Sequence, residues 1–456
     1  MKIKLPLIGS GNQSQGIQLN PSSLINFYVS TTYGVDAVKS KEVLLRTPGT
    51  TLWSISPNQG TFRGWLETNN VLYVVMTSKL YSVSTSKVWT ELGTLTSATT
   101  RVSMVSNGLQ LFIDTGSEAW TYTYATATFA AMNDADYNYS GYVTELAGRV
   151  ISAIPSTNRF QISAINDATS WAALDYDSFS NDSENLVAVF SNRTELYLFG
   201  RKNTEIHAHT GNADFPFEKK VGLNIFYGCA AKETIQYVNG TIIWLARNAQ
   251  GKALLMSLTN YTPQIVLSEA DNYQIQSLST ISDAVARTFE FNGHVFYAIW
   301  FPTEAKTFLL DTLTSKFIQL KSWKSNGTDA DGNVVYTLSR HIMDDIILFN
   351  DMILVADYRA TGTILEYSKT TQTDYLSGPS NTIYSECILP VISNEEGRLT
   401  INSLELDYEK GVSIYTEEDF VQNPALNQPL ANISLSKNAG REFNYIRTVN
   451  LGYKGQ

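Results

Sequence analysis

The sequence predicts an all-β chain built around a β-propeller of about seven blades, on three observations. A turn-and-strand unit recurs about every forty residues, which is the signature of a repeat architecture. Aromatic residues reach 12 % while charged residues fall to 17 %, below the usual quarter, a balance that favours ordered β-structure over disorder or coiled coil. Long helical periodicity is absent. A length of 456 residues exceeds one ordinary core and suits a closed repeat array or two to three domains. A tandem of β-sandwiches is the plainer alternative, and the recurring internal pattern disfavours it.

Residues 1 to 57 are rich in Gly, Ser, Asn and Thr and read as an extended arm, ending after the sharp turn Arg46-Thr47-Pro48-Gly49. The propeller is expected over 58–376. Its first unit places Asn70 before Val71-Leu72-Tyr73-Val74-Val75-Met76, then Leu80-Tyr81-Ser82-Val83 and Trp89. The second has Asn107-Gly108 before Leu109-Gln110-Leu111-Phe112-Ile113, then Trp120 to Tyr124 and Phe129. Later units open at Gly148, Asn192, Asn239-Gly240, Asn292-Gly293 and Asn350-Asp351, each followed by a strongly apolar run such as Val295 to Trp300. Such turns between β-branched and aromatic runs are hairpin signals, because Asn, Asp and Gly tolerate the positive φ that tight turns need. Ser377-Gly378-Pro379 marks a boundary, and Leu399-Thr400-Ile401 and Leu404-Glu405-Leu406 suggest a smaller C-terminal β-domain over 377–456.

The formal charge of −10, with no cluster of Lys and Arg, disfavours binding through the phosphate backbone of nucleic acid. A negative surface suits a passage through which DNA slides without sticking. Cys229 and Cys387 make no disulfide framework, and folding in a reducing cytoplasm fits best. Pro6, Gly9 and Gly11 interrupt the first apolar stretch before it reaches signal-peptide length, and no run approaches eighteen apolar residues.

Chemistry-bearing constellations are few. His207 and His209 share one face of a strand, but no Cys, Asp or Glu at ligand spacing completes a metal site, so they, His294 and His341 read as surface or turn histidines. Asp329-Ala-Asp331-Gly-Asn333 has the composition of a calcium loop, but its glycine comes too early and Arg340 stands where the bidentate Glu belongs, so it reads as a solvated loop. No nucleophile elbow, phosphate loop or dinucleotide fingerprint is present. Scattered acids such as Glu145 and Asp175 cannot be placed in one pocket from sequence, which leaves a glycosidase only weakly supported. The expectation is therefore a non-enzyme with no catalytic, cofactor-binding or metal-binding residue, and no interface residue is assigned.

Several strings taken in order carry a family resemblance: Asn26-Phe27-Tyr28, Arg46-Thr47-Pro48-Gly49, Arg63-Gly64, Leu72-Tyr73-Val74-Val75, Leu80-Tyr81, and Arg101 to Met104 with Asn107-Gly108. The central block adds Phe199-Gly200, Thr204-Glu205, Phe215-Pro216-Phe217, Tyr227 to Ala231, Trp244-Leu245 and Asn292-Gly293-His294. Leu404 to Asp407, Gly411-Val412 and Ser436-Lys-Asn438-Ala-Gly440-Arg-Glu442-Phe443 follow, the last like a degenerate Asp box.

In this order the chain resembles the packaged-DNA stabilisation proteins of short-tailed bacteriophages, also described as tail hub or nozzle proteins. The resemblance implies a virion tail protein, made in the host bacterial cytoplasm, that forms a ring of about six copies below the portal and its adaptor. It extends the DNA channel and helps retain the genome. Implied partners are further copies of itself, the portal-adaptor protein, the tail needle or plug, and the tailspike or fibre. Genomic double-stranded DNA passes through the lumen without sequence-specific binding, and no membrane anchor is involved. In the Ser436 box, Asn438, Ala439 and Phe443 replace the family's more frequent Asp, Gly and Trp. The chain also ends at Gln456, where relatives continue through an Arg- and Trp-rich closing strand, so the C-terminal domain is expected to be incomplete or to close differently. The alternative function is a propeller that binds or hydrolyses glycan on a phage tail.

Overall fold

The computed structural model describes residues 23–450, except 34–39, 98, 180–183, 213, 248–249, 372, 376–381, 390–429 and 438–440. Most of the expected C-terminal domain, including the strands foreseen at 399–401 and 404–406, and the arm before residue 23 lie outside the described residues. The centre of the Ser436 box does too.

The described chain is a β-propeller. Six blades are contiguous antiparallel meanders, at 62–94, 103–131, 143–178, 188–219, 228–265 and 285–328. The last repeat supplies only three strands, Met343–Phe349, Met352–Asp357 and Thr363–Ser368. Its fourth is Gly49–Ile55, paired antiparallel from Thr363↔Ile55 to Ser368↔Gly49. This corrects the expectation of about seven self-contained repeats beginning at residue 58. Six are self-contained, and the ring is closed by a composite sheet whose outer strand comes from within the expected arm.

The turn anchors stand where the spacing puts them. Asn70, Gly108, Gly148, Asn239, Asn292 and Asn350 lie in the turn between the first and second strands of their sheets. Asn70, Asn239, Asn292 and Asn350 have φ between 48° and 58°, and Gly108 has φ 88°. The apolar run after each anchor becomes the second strand. Val71–Met76 and His294–Phe301 show why those runs lack alternation: nearly every residue is buried, because neighbouring blades cover both faces of the sheet.

The core accordingly lies between blades. Tyr73, Val75 and Leu80 of blade one meet Leu111, Ile113 and Tyr122 of blade two. Trp53 and Leu354 of the closing sheet meet Phe62, Leu72 and Val74 of blade one, which seals the ring. Arg63 adds a polar stitch, its buried guanidinium donating to the carbonyls of Thr77 at 2.8 Å, Ser97 at 2.7 Å and Thr100.

Blade six is enlarged. Ser23–Ile25 runs parallel to its strand Lys316–Thr328 and antiparallel to Glu386–Ile388. Asn26 ties all three, its Nδ2 donating to the carbonyls of Lys321 at 2.7 Å and Tyr384 at 2.6 Å while its Oδ1 accepts from the Lys321 amide at 3.0 Å. Beyond the blade, Lys316–Thr328 pairs with Val334–Arg340 as a projecting two-stranded ribbon. Asp329-Ala-Asp331-Gly-Asn333 is its exposed tip, with Asp329 Oδ1 accepting from the amides of Asp331 and Asn333.

Candidate functional site: the clamped axis of the propeller

The first strand of every sheet faces the axis, so residues far apart in sequence meet there. They line a solvent-open cavity of about 390 Å³ whose walls include Trp65, Met104, Tyr142, Phe190, Tyr237 and Arg287.

A charged network crosses it. The Arg287 guanidinium of blade six grips Asp345 of the closing sheet, with Nε to Oδ1 at 2.8 Å and a second contact to Oδ2 at 3.1 Å. It reaches Glu233 of blade five at 3.4 Å. Arg101, just before blade two, lands on the same Asp345 Oδ2 at 3.1 Å and also donates to the Asp344 carbonyl. Burial alone would lower the Arg287 guanidinium, but Asp345 and Glu233 outweigh it and hold its pKa above the ordinary value. Beside the network, burial pushes the Tyr142 phenol well above its usual range. Lys232, lowered by burial, donates to the Ser140 carbonyl at 2.9 Å.

Chemically this arrangement is a clamp. Both acids of this network, Asp345 and Glu233, are engaged by guanidinium groups, and breaking one partner would strand a buried charge. Nearby Asp114 is equally engaged, accepting from Tyr137 Oη at 2.7 Å and from the amides of Gly116, Ser140 and Gly141.

The residues weighed from sequence are not brought together. Glu145 sits on the axial strand of blade three and accepts from the Gly148 amide at 2.7 Å, whereas Asp175 lies on the outer strand of that blade. Three of the four histidines correct the surface reading: His207, His294 and His341 are buried. His294 follows a turn as expected, but its Nδ1 lies 2.8 Å from Asp311 on the adjoining strand, and its ring stacks on Phe296. His207 packs edge-on against Phe160 of blade three. Among the described residues, no group of three or more His, Cys, Asp or Glu is placed to hold a metal ion. The axial clamp escaped sequence reasoning because Arg101, Glu233, Arg287 and Asp345 share no local spacing.

The sequence profile of a protein family described as bacteriophage P22 Gp10, β-propeller, matches residues 3–365. The chain belongs to this family. It is therefore a phage structural propeller of the Gp10 type, the family of a DNA stabilisation protein. No curated protein sequence matches this Gp10-type chain. Among solved structures, the extracellular domain of the one-component system BT4673 from B. thetaiotaomicron is 8 % identical with a TM-score of 0.43. That match covers 71 % of this chain and 40 % of that one. The computationally designed Ika8 protein is 11 % identical with a TM-score of 0.40, covering 79 % of this chain and 99 % of that one. The Pan2 WD40 domain of Neurospora crassa is 9 % identical with a TM-score of 0.42, covering 71 % and 95 %. Among the described residues of the Gp10-type chain, no helix is long and apolar enough to cross a membrane.

Proposed function

We propose that this Gp10-type propeller is a tail hub or nozzle protein, several copies of which form a ring below the portal and its adaptor, extend the DNA channel and help retain the packaged genome. The observation that carries the reading is the narrow, ion-pair-crossed axis of a phage structural propeller. A B-DNA duplex, whose major groove alone is about 12 Å wide, cannot thread a cavity of about 390 Å³ crossed by the Arg287–Asp345 clamp. DNA must then pass between propellers, each acting as a rigid wall segment. The net charge of −10 per chain, repeated around such a ring, repels phosphate and lets the duplex slide. The tail needle or plug and the tailspike or fibre are the other partners in this reading, at the far end and the outer rim.

Cryo-EM of assembled tails tests it. The expected result is a ring of propellers around a lumen of neutral or negative potential, with particles lacking the protein losing their DNA. A single copy per tail vertex, or a strongly basic lumen, sinks the proposal.

A further inference from the structure

The outer strands of the propeller differ in one respect. Sheet edges are normally blunted by shortness, Lys or Pro. The outer strands of blades two, four and five obey this, at four, three and four residues, the last containing Pro263. Blade three is long-edged instead, and aspartates and a bulge blunt that edge while Gln110 and Asp134 cap the Ala168 and Trp171 amides. Its outer strand, Asp167–Ser178, runs for 12 residues with no Lys, Arg or Pro. Its register against Arg159–Ala164 jumps between Ser163↔Trp171 and Gln161↔Tyr176, so the intervening residues bulge outward. Leu174 on that bulge is 84 % exposed, and Ile165 beside the strand is 60 % exposed. Asp167, Asp175 and Asp177 make the same edge acidic.

The N-terminal arm has the opposite chemistry. Residues 1–22 contain Lys2 and Lys4 and no acid, so the net −10 divides into +2 on the arm and −12 on the rest. Met1, Ile3, Leu5 and Leu7 alternate with Lys2, Lys4 and Pro6, the pattern of an extended segment with an aliphatic face opposite its lysines. The arm joins the propeller at Ser23, in the enlarged sheet of blade six. Blades three and six are three steps apart around the ring, on opposite sides of the molecule. Twenty-two extended residues at roughly 3.3 Å each reach about 70 Å, enough to leave their own propeller and cross to a neighbour. Two different, complementary patches on opposite sides are what a head-to-tail ring requires.

We propose that the arm, residues 1–22 of one copy, docks on the blade-three edge Asp167–Ser178 of the next, its aliphatic face on Leu174 and Ile165 and its lysines against the aspartates. This rests on the ring reading above and names the contact that closes the ring.

Assembled tails carrying full-length protein test it with Leu5→Cys and Leu174→Cys together under mild oxidation. A ladder of covalent dimers and larger oligomers on denaturing gels is expected, absent from either single variant. In parallel, Asp175→Lys with Asp177→Lys is expected to lower the yield of rings at least tenfold, and adding Lys2→Asp with Lys4→Asp to restore it, which a misfolded variant would not do. Rings that form normally without a ladder, a link confined to one chain, or no rescue overturns the arm contact and leaves the ring intact. One copy per tail vertex in the wild type overturns the ring reading itself and the arm contact with it.

Discussion

At the scale of single residues, burial decides the chemistry. His341 is fully enclosed, accepts weakly from the Met343 amide through Nδ1, and has Arg359 and Arg340 nearby. Burial first, then the two guanidinium groups, push its imidazole down to about 3. An unfolded chain protonates that ring near pH 6.5. Below that pH the unfolded state therefore binds a proton that the native state refuses, and stability falls by up to about 1.4 kcal/mol per pH unit until the folded pKa is reached. Thermal melts from pH 7 to 4 are expected to show a shallower decline for His341→Gln than for the parent, and parallel declines would show that this ring does not govern the acid limb.

At the scale of elements, the closing strand is the sensitive part. A Cβ at Gly49 would lie 2.5 Å from the carbonyl oxygens of Thr371 and Thr373, which are backbone and cannot swing away. Gly49→Ala is therefore expected to cost about 1–3 kcal/mol by forcing the strand outward, measured as a lower urea midpoint, and an unchanged midpoint would mean that the seam gives way at no cost. The second strands of the blades were legible because each follows a turn whose Asn or Gly announces positive φ, and because burial on both faces writes itself as an unbroken apolar run. Gly49–Ile55 was not legible as a blade strand. Its partner lies more than three hundred residues away, and Gly49-Thr50-Thr51-Leu52-Trp53 has no strong alternation to mark it. The buried histidines failed for a related reason, since the pairing of His294 with Asp311 depends on strand register rather than on composition.

At the scale of the whole molecule, ring closure joins the start of the described chain to residues 363–388. Thr50 Oγ1 accepts from the Tyr375 amide at 2.9 Å, Arg46 donates to the Ile383 carbonyl at 2.6 Å, and Ser23 pairs with Ile388. Deleting residues 1–22 is expected to leave the melt unchanged. Deleting 1–55 uncovers Phe349, Leu354 and Ile364 and is expected to replace one cooperative transition by a broad one with strong binding of a hydrophobic dye. A sharp transition in the longer deletion would refute the role given to the seam. The same seam also sets a clock for synthesis. Thr50 faces Asp374, 324 residues later, and at about 5–20 residues per second the ribosome needs about 16 to 65 s to make the strand's binding site. For that interval the nascent chain is an open arc with the apolar flank of blade one uncovered, and a strand made before the first blade waits for one made after the sixth.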